Sequence, residues 1–260
     1  MERVEGWRGE RGLLWHMRAR PVVHLAAGVA QITDAAVYGG RSLILMRQFE
    51  AQQWMELVQK EKADRAGMVP TMLKQVVDHA DFHNYDLSSL QVITYGAAPM
   101  PLEVIKKAIA AFPDAKFINA FGQTETASTI TMLPPEDHIL EGSEKEIEKK
   151  LRHLTSVGTP LADVEVAILD KDGHELPNGQ IGEVAAKGPR LMSGYWKNDQ
   201  ATRGAFYGSW LLTGDLGYRD EDGYIYLSGR SRDFIKRGGE MISPAEVEQV
   251  LMSHPAVDDA

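Results

Sequence analysis

Phe121, Thr124 and Glu125 lie within the run KFINAFGQTETA at 116–127 and place an aromatic ring, a hydroxyl and a carboxylate within five positions. An aromatic face can stack on a base. A hydroxyl can donate to a phosphate oxygen, and a carboxylate can hold a hard divalent cation, which takes oxygen ligands. Together the three suit a nucleotide carrying a metal. The plainer alternative is a turn at Gly122 with Thr124 capping a helix. Taken alone, the stretch favours that alternative, so the elements around it must decide.

Lys116–Asn119 has the apolar and aromatic character of a buried strand, and Gly122 is expected to break it. Leu90–Tyr95 reads as the strand before it, with a loop at Gly96–Pro101 and an amphipathic helix at Leu102–Phe112, entered through proline. Strand, helix and strand in that order make a right-handed crossover between parallel strands. The loops at 96–100 and 121–125 then leave the same sheet edge, the one at which open α/β sheets hold ligands.

Upstream, an apolar stretch at 21–32 is interrupted by His24 and Gln31, and 35–38 reads as a helix ending at Gly39-Gly40. Strands are expected at 42–46 and 66–70, and helices at 49–60 and from Pro70 to about His79. Downstream, 141–151 is a solvated helical insert in which Glu141/Lys145 and Glu146/Lys150 have the favourable spacing. From 156 to 229 short strands at 164–169, 182–187, 211–218 and 224–227 alternate with turns at Asp172-Gly173 and Asp220–Gly223, the pattern of a β-rich subdomain. A basic, glycine-containing stretch at 230–239 suits a linker or an anion-facing loop. Ser243-Pro244-Ala245-Glu246 then starts a helix that reaches about Ser253.

The chain has 260 residues, enough for about two domains. Its hydrophobic fraction of 43% and charged fraction of 25% are those of an ordinary soluble protein. A net charge of -9 argues against nucleic acid or an anionic membrane as the main partner. The absence of cysteine excludes disulfides, thiolate metal sites and a cysteine nucleophile. No apolar run is long enough for a membrane span. Residues 1–20 are arginine-rich, but Glu2, Glu5 and Glu10 do not suit a transit peptide, and the segment has no signal-peptide core. The expected compartment is therefore the cytoplasm.

Six short motifs occur in one order: GAAPMP at 96–101, FGQTE at 121–125, VGTP at 157–160, GEVAAKGPRLMSGYW at 182–196, LLTGD at 211–215 and GRSRDFIKRGGEMISPAEVE at 229–248. Each is weak alone. In this order and spacing they resemble the adenylate-forming superfamily and, within it, the acyl-CoA synthetases, over nearly everything from Pro21 onward. The resemblance implies an α/β fold: a parallel-sheet α/β part at 21–155, a β-rich subdomain at 156–232, and a hinge with the start of a small α+β domain at 233–260, after an atypical segment at 1–20. It also implies a two-step reaction. A small-molecule carboxylic acid, fatty or aromatic, attacks the α-phosphate of ATP with Mg²⁺ present, and the thiol of coenzyme A then displaces AMP from the acyl-adenylate.

By the same resemblance, Gly96, Ala97, Ala98 and Pro99 would wall the adenine and acyl pockets, and Asn119, Ala120 and Gly122 would border the nucleotide. Phe121 stands where the family usually has a tyrosine that stacks on adenine. Thr124 would bond the α-phosphate, Glu125 would help hold Mg²⁺, and Asp215 and Arg230 would grip the ribose. His24 matches a position beside the carboxylate pocket, Asp233 matches the hinge, and Lys236, Gly238 and Gly239 would face the thiol tunnel. Plainer readings stand beside these. Asp215 can shape a turn after Gly214, Arg230 can pair with a nearby acid, and His24 can be a satisfied core histidine. His79 and His83 have the spacing of a metal pair, but Asp78, Asp81, Asn84 and Asp86 around them favour a solvated helix end.

The family's phosphate loop with its lysine belongs upstream of His24, and its late lysine belongs beyond Ala260. Neither is visible in the sequence, and each such group is worth roughly 10²–10³ in rate. The expectation is a fragment that turns over poorly by itself. The other readings are a non-catalytic nucleotide- or acyl-adenylate-binding module, luciferase-like chemistry, and amino-acid adenylation. The last usually has Gly-Gly-Glu where this chain has Gly96-Ala97-Ala98.

Overall fold

Branched and aromatic strands alternate with amphipathic helices in the first half of the chain, and in the computed structural model they form one sheet with helices packed against it. The structure describes residues 38–46 and 48–230, the strand backbones at 22–24, 235–237 and 240–242, and the single positions Val247, Val250, Leu251 and Val257. The first half contains β1 (Val22–His24), β2 (Leu43–Leu45), α1 (Ala51–Glu61), β3 (Arg65–Met68), α2 (Pro70–Val77), β4 (Val92–Gly96), α3 (Leu102–Ala111) and β5 (Lys116–Gln123). β6 (Ser128–Leu133), α4 (Glu144–His153) and β7 (Thr159–Pro160) complete it. The strand order is β2-β1-β3-β4-β5-β6-β7. The first five strands of that order run parallel, while β6 and β7 are antiparallel additions.

The core of this sheet is built by period. In α1, Trp54, Met55 and Val58 are fully buried, one helical face presented to Leu73 and Val76 of α2, Ile93 of β4, Ile105 of α3 and Phe117 of β5. Each large side chain so buried contributes about 1.5–3 kcal/mol. Glu50 caps α1 by accepting from the backbone of Gln52 and Gln53, and Lys62 ends it in the left-handed region at φ 51. The expected crossover is present: β4 and β5 are parallel neighbours, with Gly96 beside Ala120.

The second half contains β8 (Glu165–Leu169), β9 (Gly182–Lys187), α5 (Asp199–Gly204), β10 (Phe206–Tyr207), β11 (Trp210–Arg219) and β12 (Ile225–Arg230). These strands form an antiparallel sheet of order β10-β11-β9-β8, with β12 also paired to β11. The two-residue strand period separates its faces. Val166, Ile168, Val184 and Ala186 pack on one side with Ile225 and with Ile130 of β6, and Ala167, Leu169 and Ala185 on the other against Trp210 and Leu212. The side holding Ile130 joins the two sheets. Beyond them β13 (Ile235–Arg237) and β14 (Glu240–Ile242) form an antiparallel pair. Val247, Val250 and Leu251 have helical backbone, while the expected start of that helix at Pro244 lies outside the described residues.

Three local expectations change. Gly122 does not end its strand: β5 runs on to Gln123 and forms a hairpin with β6. A methyl group at Gly122 would overlap the Ser128 carbonyl across that hairpin, so the glycine permits a close approach of two backbones. β6 is the strand that the sequence did not announce. Its threonines look polar, yet Thr131 is fully buried and donates its hydroxyl to Val157 O at 2.6 Å. In α4 capping is added to the expected pairing, since Lys150 still helps to lower the Glu146 pKa after the Ser143 hydrogen bonds. Glu146 accepts from Ser143 N at 2.7 Å, and Lys150 donates to Ile139 O at 2.6 Å.

Candidate active site

Where β4 and β5 end, the loop after Gly96 meets the β5–β6 turn, and the two form one side of a cleft of about 450 Å³. Ala97 is in the left-handed region at φ 68, a conformation that costs a non-glycine residue on the order of 1 kcal/mol or more. Gly96 has no room for a side chain, because a Cβ there would run into Ala120 O of β5. Gly96 thus lets β4 and β5 approach at their ends, and Ala97 and Ala120 reach the cleft wall.

The Thr124–Thr126 turn is held by its last residue. Thr126 is fully buried; its Oγ1 accepts from Gln123 N at 3.0 Å and lies 2.6 Å from Ser128 O, to which it can donate. The expected cap at Thr124 is therefore supplied by Gln123 and Thr126. Thr124 stands exposed on the cleft wall next to Glu125.

Glu125 is gripped from the β9–α5 loop. Its carbonyl accepts from Met192 N at 2.8 Å, and its Oε1 accepts from the Tyr195 hydroxyl at 2.9 Å. The hydrogen bond to that carboxylate, followed by desolvation, raises the Tyr195 pKa above its ordinary value. The loop is anchored at both ends. Arg190 makes a forked pair with Asp163, Nε to Oδ2 at 2.9 Å and Nη2 to Oδ1 at 2.6 Å, and Nη1 donates to Thr129 O of β6 at 2.9 Å. This guanidinium holds the Asp163 carboxyl below its usual range. At the other end Tyr195 N donates to Thr202 Oγ1 of α5 at 2.9 Å.

The facing wall is a distortion of β11. Its register against β9 shifts between Leu212 and Leu216, and Gly214 adopts φ 78. Thr213 donates to Val184 O at 2.7 Å and Gly214 N donates to Glu183 Oε1 at 3.1 Å, which fixes the irregularity. Asp215 follows, nearly buried and opposite Arg230 in the β11–β12 ladder. The Arg230 Nε lies 3.3 Å from Asp215 Oδ1. Thr213, Gly214 and Arg230 line the cleft.

The fold thus brings Ala97, Ala120, Gly122, Thr124, Glu125 and Arg230 together around one cleft, with Asp215 beside them. Others are placed elsewhere. Phe121 packs half-buried against the core of the second sheet. Asn119 is buried and donates to Ser156 O at 3.3 Å. Ala98 and Pro99 are exposed on the loop beyond Ala97. His24 has only its backbone described, in β1 beside Leu45, and Lys236 only its backbone in β13 beside Met241. Asp233, Gly238 and Gly239 lie outside the described residues. His79 follows α2 and accepts from Asp81 N at 3.2 Å, whereas His83 sits in a separate short turn.

The residues present fit a nucleotide with a cation. The cleft is of ligand size, since such sites run from roughly 300 Å³ upward. Tyr195 uses one of the several acceptor positions of the Glu125 carboxylate. A magnesium site that draws on one carboxylate and on substrate phosphates needs no more from the protein.

The sequence pattern of AMP-binding enzymes matches residues 17–196. The chain belongs to that family. Its two sheets are those of the adenylate-forming fold. The medium/long-chain-fatty-acid–CoA ligase FadD8 of Mycobacterium tuberculosis is 36% identical over 91% of this chain and 39% of its own length. The amide bond synthetase McbA from Marinactinospora thermotolerans superposes with a TM-score of 0.81 at 31% identity, over 93% of this chain and 47% of its own. The O-succinylbenzoate coenzyme A synthetase MenE from Bacillus subtilis, solved with ATP and magnesium, superposes with a TM-score of 0.76 at 29% identity, over 94% and 49%. The chain therefore spans less than half the length of these relatives. Arg190 and Tyr195 have no role in the sequence reading, although both lie inside the GEVAAKGPRLMSGYW motif. Their partners are too far along the chain for spacing to announce them.

Proposed function

We propose that this chain supplies the nucleotide grip of an AMP-forming acid–CoA ligase that acts on a fatty or aromatic carboxylic acid. The observation that carries the reading is the convergence of Thr124, Glu125 and Arg230 on one cleft, with Asp215 beside it, in a member of the AMP-binding family. Thr124 donates to an α-phosphate oxygen, and Glu125, oriented by Tyr195, helps to hold Mg²⁺. Asp215 accepts from the ribose hydroxyls, and Arg230, paired with it, donates to the same sugar. Such preset charges and donors are what in-line phosphoryl chemistry needs. When bound, the cation neutralises phosphate charge. Adenine lies against the backbone of Ala97 and Ala120, with Phe121 supporting that wall from the core side.

The division near residues 155 and 232, the roles of His24, Asp233, Lys236, Gly238 and Gly239, coenzyme A as acceptor and a cytoplasmic setting belong to the same proposal. Among the described residues no helix is long and apolar enough to cross a membrane.

Equilibrium binding of a non-hydrolysable acyl-adenylate analogue, set beside acid-dependent ATP–pyrophosphate exchange, tests the assignment. Binding that is weakened about tenfold or more by Asp215→Ala, with exchange far below that of an intact ligase, is the expected result. Binding with no exchange at all would favour a non-catalytic module. Absence of binding would refute the grip.

A further inference from the structure

Away from the cleft, where α4 meets the β11–β12 hairpin, a buried imidazole is only half satisfied. His153, the last residue of α4, is 4% exposed. Its Nδ1 lies 3.2 Å from Asp137 Oδ1, and since a carboxylate only accepts, the neutral ring carries its proton there. The Tyr224 hydroxyl donates to the other Asp137 oxygen at 2.9 Å. The Tyr224 ring stacks on the imidazole at 3.6 Å and 19°. The ring is therefore fixed, and Nε2, which in the neutral ring with its proton on Nδ1 carries the lone pair, is buried and has no hydrogen-bond partner. That lone pair faces acids: Asp222 Oδ2 is 3.9 Å away, and Asp220 stands beside it. A lone pair facing carboxylates is repulsive, and either a proton on Nε2 or a metal cation between the groups relieves it. A carboxylate behind Nδ1 is also the arrangement that orients metal-ligating histidines.

We propose that His153 Nε2, Asp222 and Asp220 form a site for a divalent transition-metal cation that pins α4 to the β11–β12 hairpin. One imidazole with carboxylates suits zinc or manganese better than calcium. The three ligand atoms lie within 4.8 Å of one another. Bonds of about 2.0–2.2 Å allow two donors on one ion to stand up to roughly 4.4 Å apart, so small side-chain shifts close the set. Asp220 already accepts from Asp222 N, Tyr224 N and Tyr226 Oη, which makes it the outer member. Lys149 Nζ sits 3.0 Å and Arg152 Nη2 3.7 Å from Asp222 Oδ2. Both cations are well exposed, and the metal would displace Lys149.

The test titrates Zn²⁺ into the chelator-treated 260-residue chain by calorimetry and follows thermal unfolding, with Mg²⁺ as the comparison ion. One zinc should bind and raise the melting temperature, while Mg²⁺ at equal concentration should not. His153→Gln and Asp222→Asn should each weaken zinc binding at least tenfold. Lys149→Gln should tighten it several-fold, and a His79→Gln/His83→Gln double variant should bind like the parent. Circular dichroism of the metal-free variants checks folding, and Asp222, being exposed, gives a variant that folds even if His153→Gln does not. Absence of zinc binding in the parent, undiminished binding in Asp222→Asn, binding no tighter in Lys149→Gln, or loss of binding in the His79/His83 variant would each overturn the site.

Discussion

Replacing Tyr195 with phenylalanine deletes a single hydroxyl, the one that donates to Glu125 Oε1 at 2.9 Å. A hydrogen bond to a charged group is worth about 1.5–3 kcal/mol when shielded. Tyr195 is 39% exposed, so the lower end must be discounted further for solvent, to about 1 kcal/mol. The loop itself should stay in place, because Met192 N still reaches the Glu125 carbonyl and Arg190 still bridges Asp163 and Thr129. The loss then falls on the orientation of the carboxylate and not on the fold. At about 1.4 kcal/mol per factor of ten, Mg²⁺-dependent ATP binding should weaken about fivefold. Binding of AMP without Mg²⁺ should be unchanged, as should the melting temperature.

Glu125→Gln should weaken Mg²⁺-dependent binding more, and adding Tyr195→Phe to it should change little further. Two groups that act through one contact are non-additive. A spectroscopic readout is independent of the nucleotide. Glu125 raises the Tyr195 pKa, so in Glu125→Gln the tyrosine should ionise at lower pH, seen as a phenolate absorbance difference against Tyr195→Phe. Equal weakening with and without Mg²⁺, or additive losses in the double variant, would refute the claim that Tyr195 works by holding Glu125.

Gly122→Ala should destabilise the chain by several kcal/mol in denaturant unfolding, because its methyl would overlap the Ser128 carbonyl. Gly204→Ala in α5, where nothing lies within 4 Å, should be neutral or stabilising by up to about 1 kcal/mol. Burial lowers the His138 pKa from its ordinary value near 6.5; the Tyr95 hydroxyl stands 2.9 Å from Nε2 and Pro134 O 2.9 Å from Nδ1. The unfolded chain thus takes up this proton first, so the His138 contribution is complete above about pH 6.5 and is lost as pH falls from there towards the lowered value. His138→Gln should flatten that part of the stability–pH curve measured by urea unfolding. Trp54→Ala, at a position with no exposure, should cost about 3–5 kcal/mol by the same assay.

What could be read in advance divides by sequence separation. The β4–α3–β5 crossover and the hairpin turn at Asp220–Gly223 depend on neighbours within a few residues, where apolar period and turn chemistry act, and the structure has both. β6 is not legible in the sequence because Thr129 and Thr131 look like surface residues. Thr131 is compatible with burial only because its hydroxyl meets Val157 O, a partner 26 positions on. In sequence Gly122 reads as a strand break, because a glycine that ends a strand and one that admits a second backbone look alike until that second strand is known. Phe121 shows the reverse. The family resemblance set it at the ligand, and its half-buried ring packs against a core assembled from both sheets. The cleft carries the point furthest. Thr124 and Glu125 are adjacent and legible as a pair, but the groups that orient Glu125 and anchor its loop act over separations of 70 positions for Tyr195 and 61 for Arg190. No spacing rule reaches that far. A motif string therefore marks where the proposed nucleotide site lies, and the arrangement of its side chains comes from contacts which only the folded chain creates.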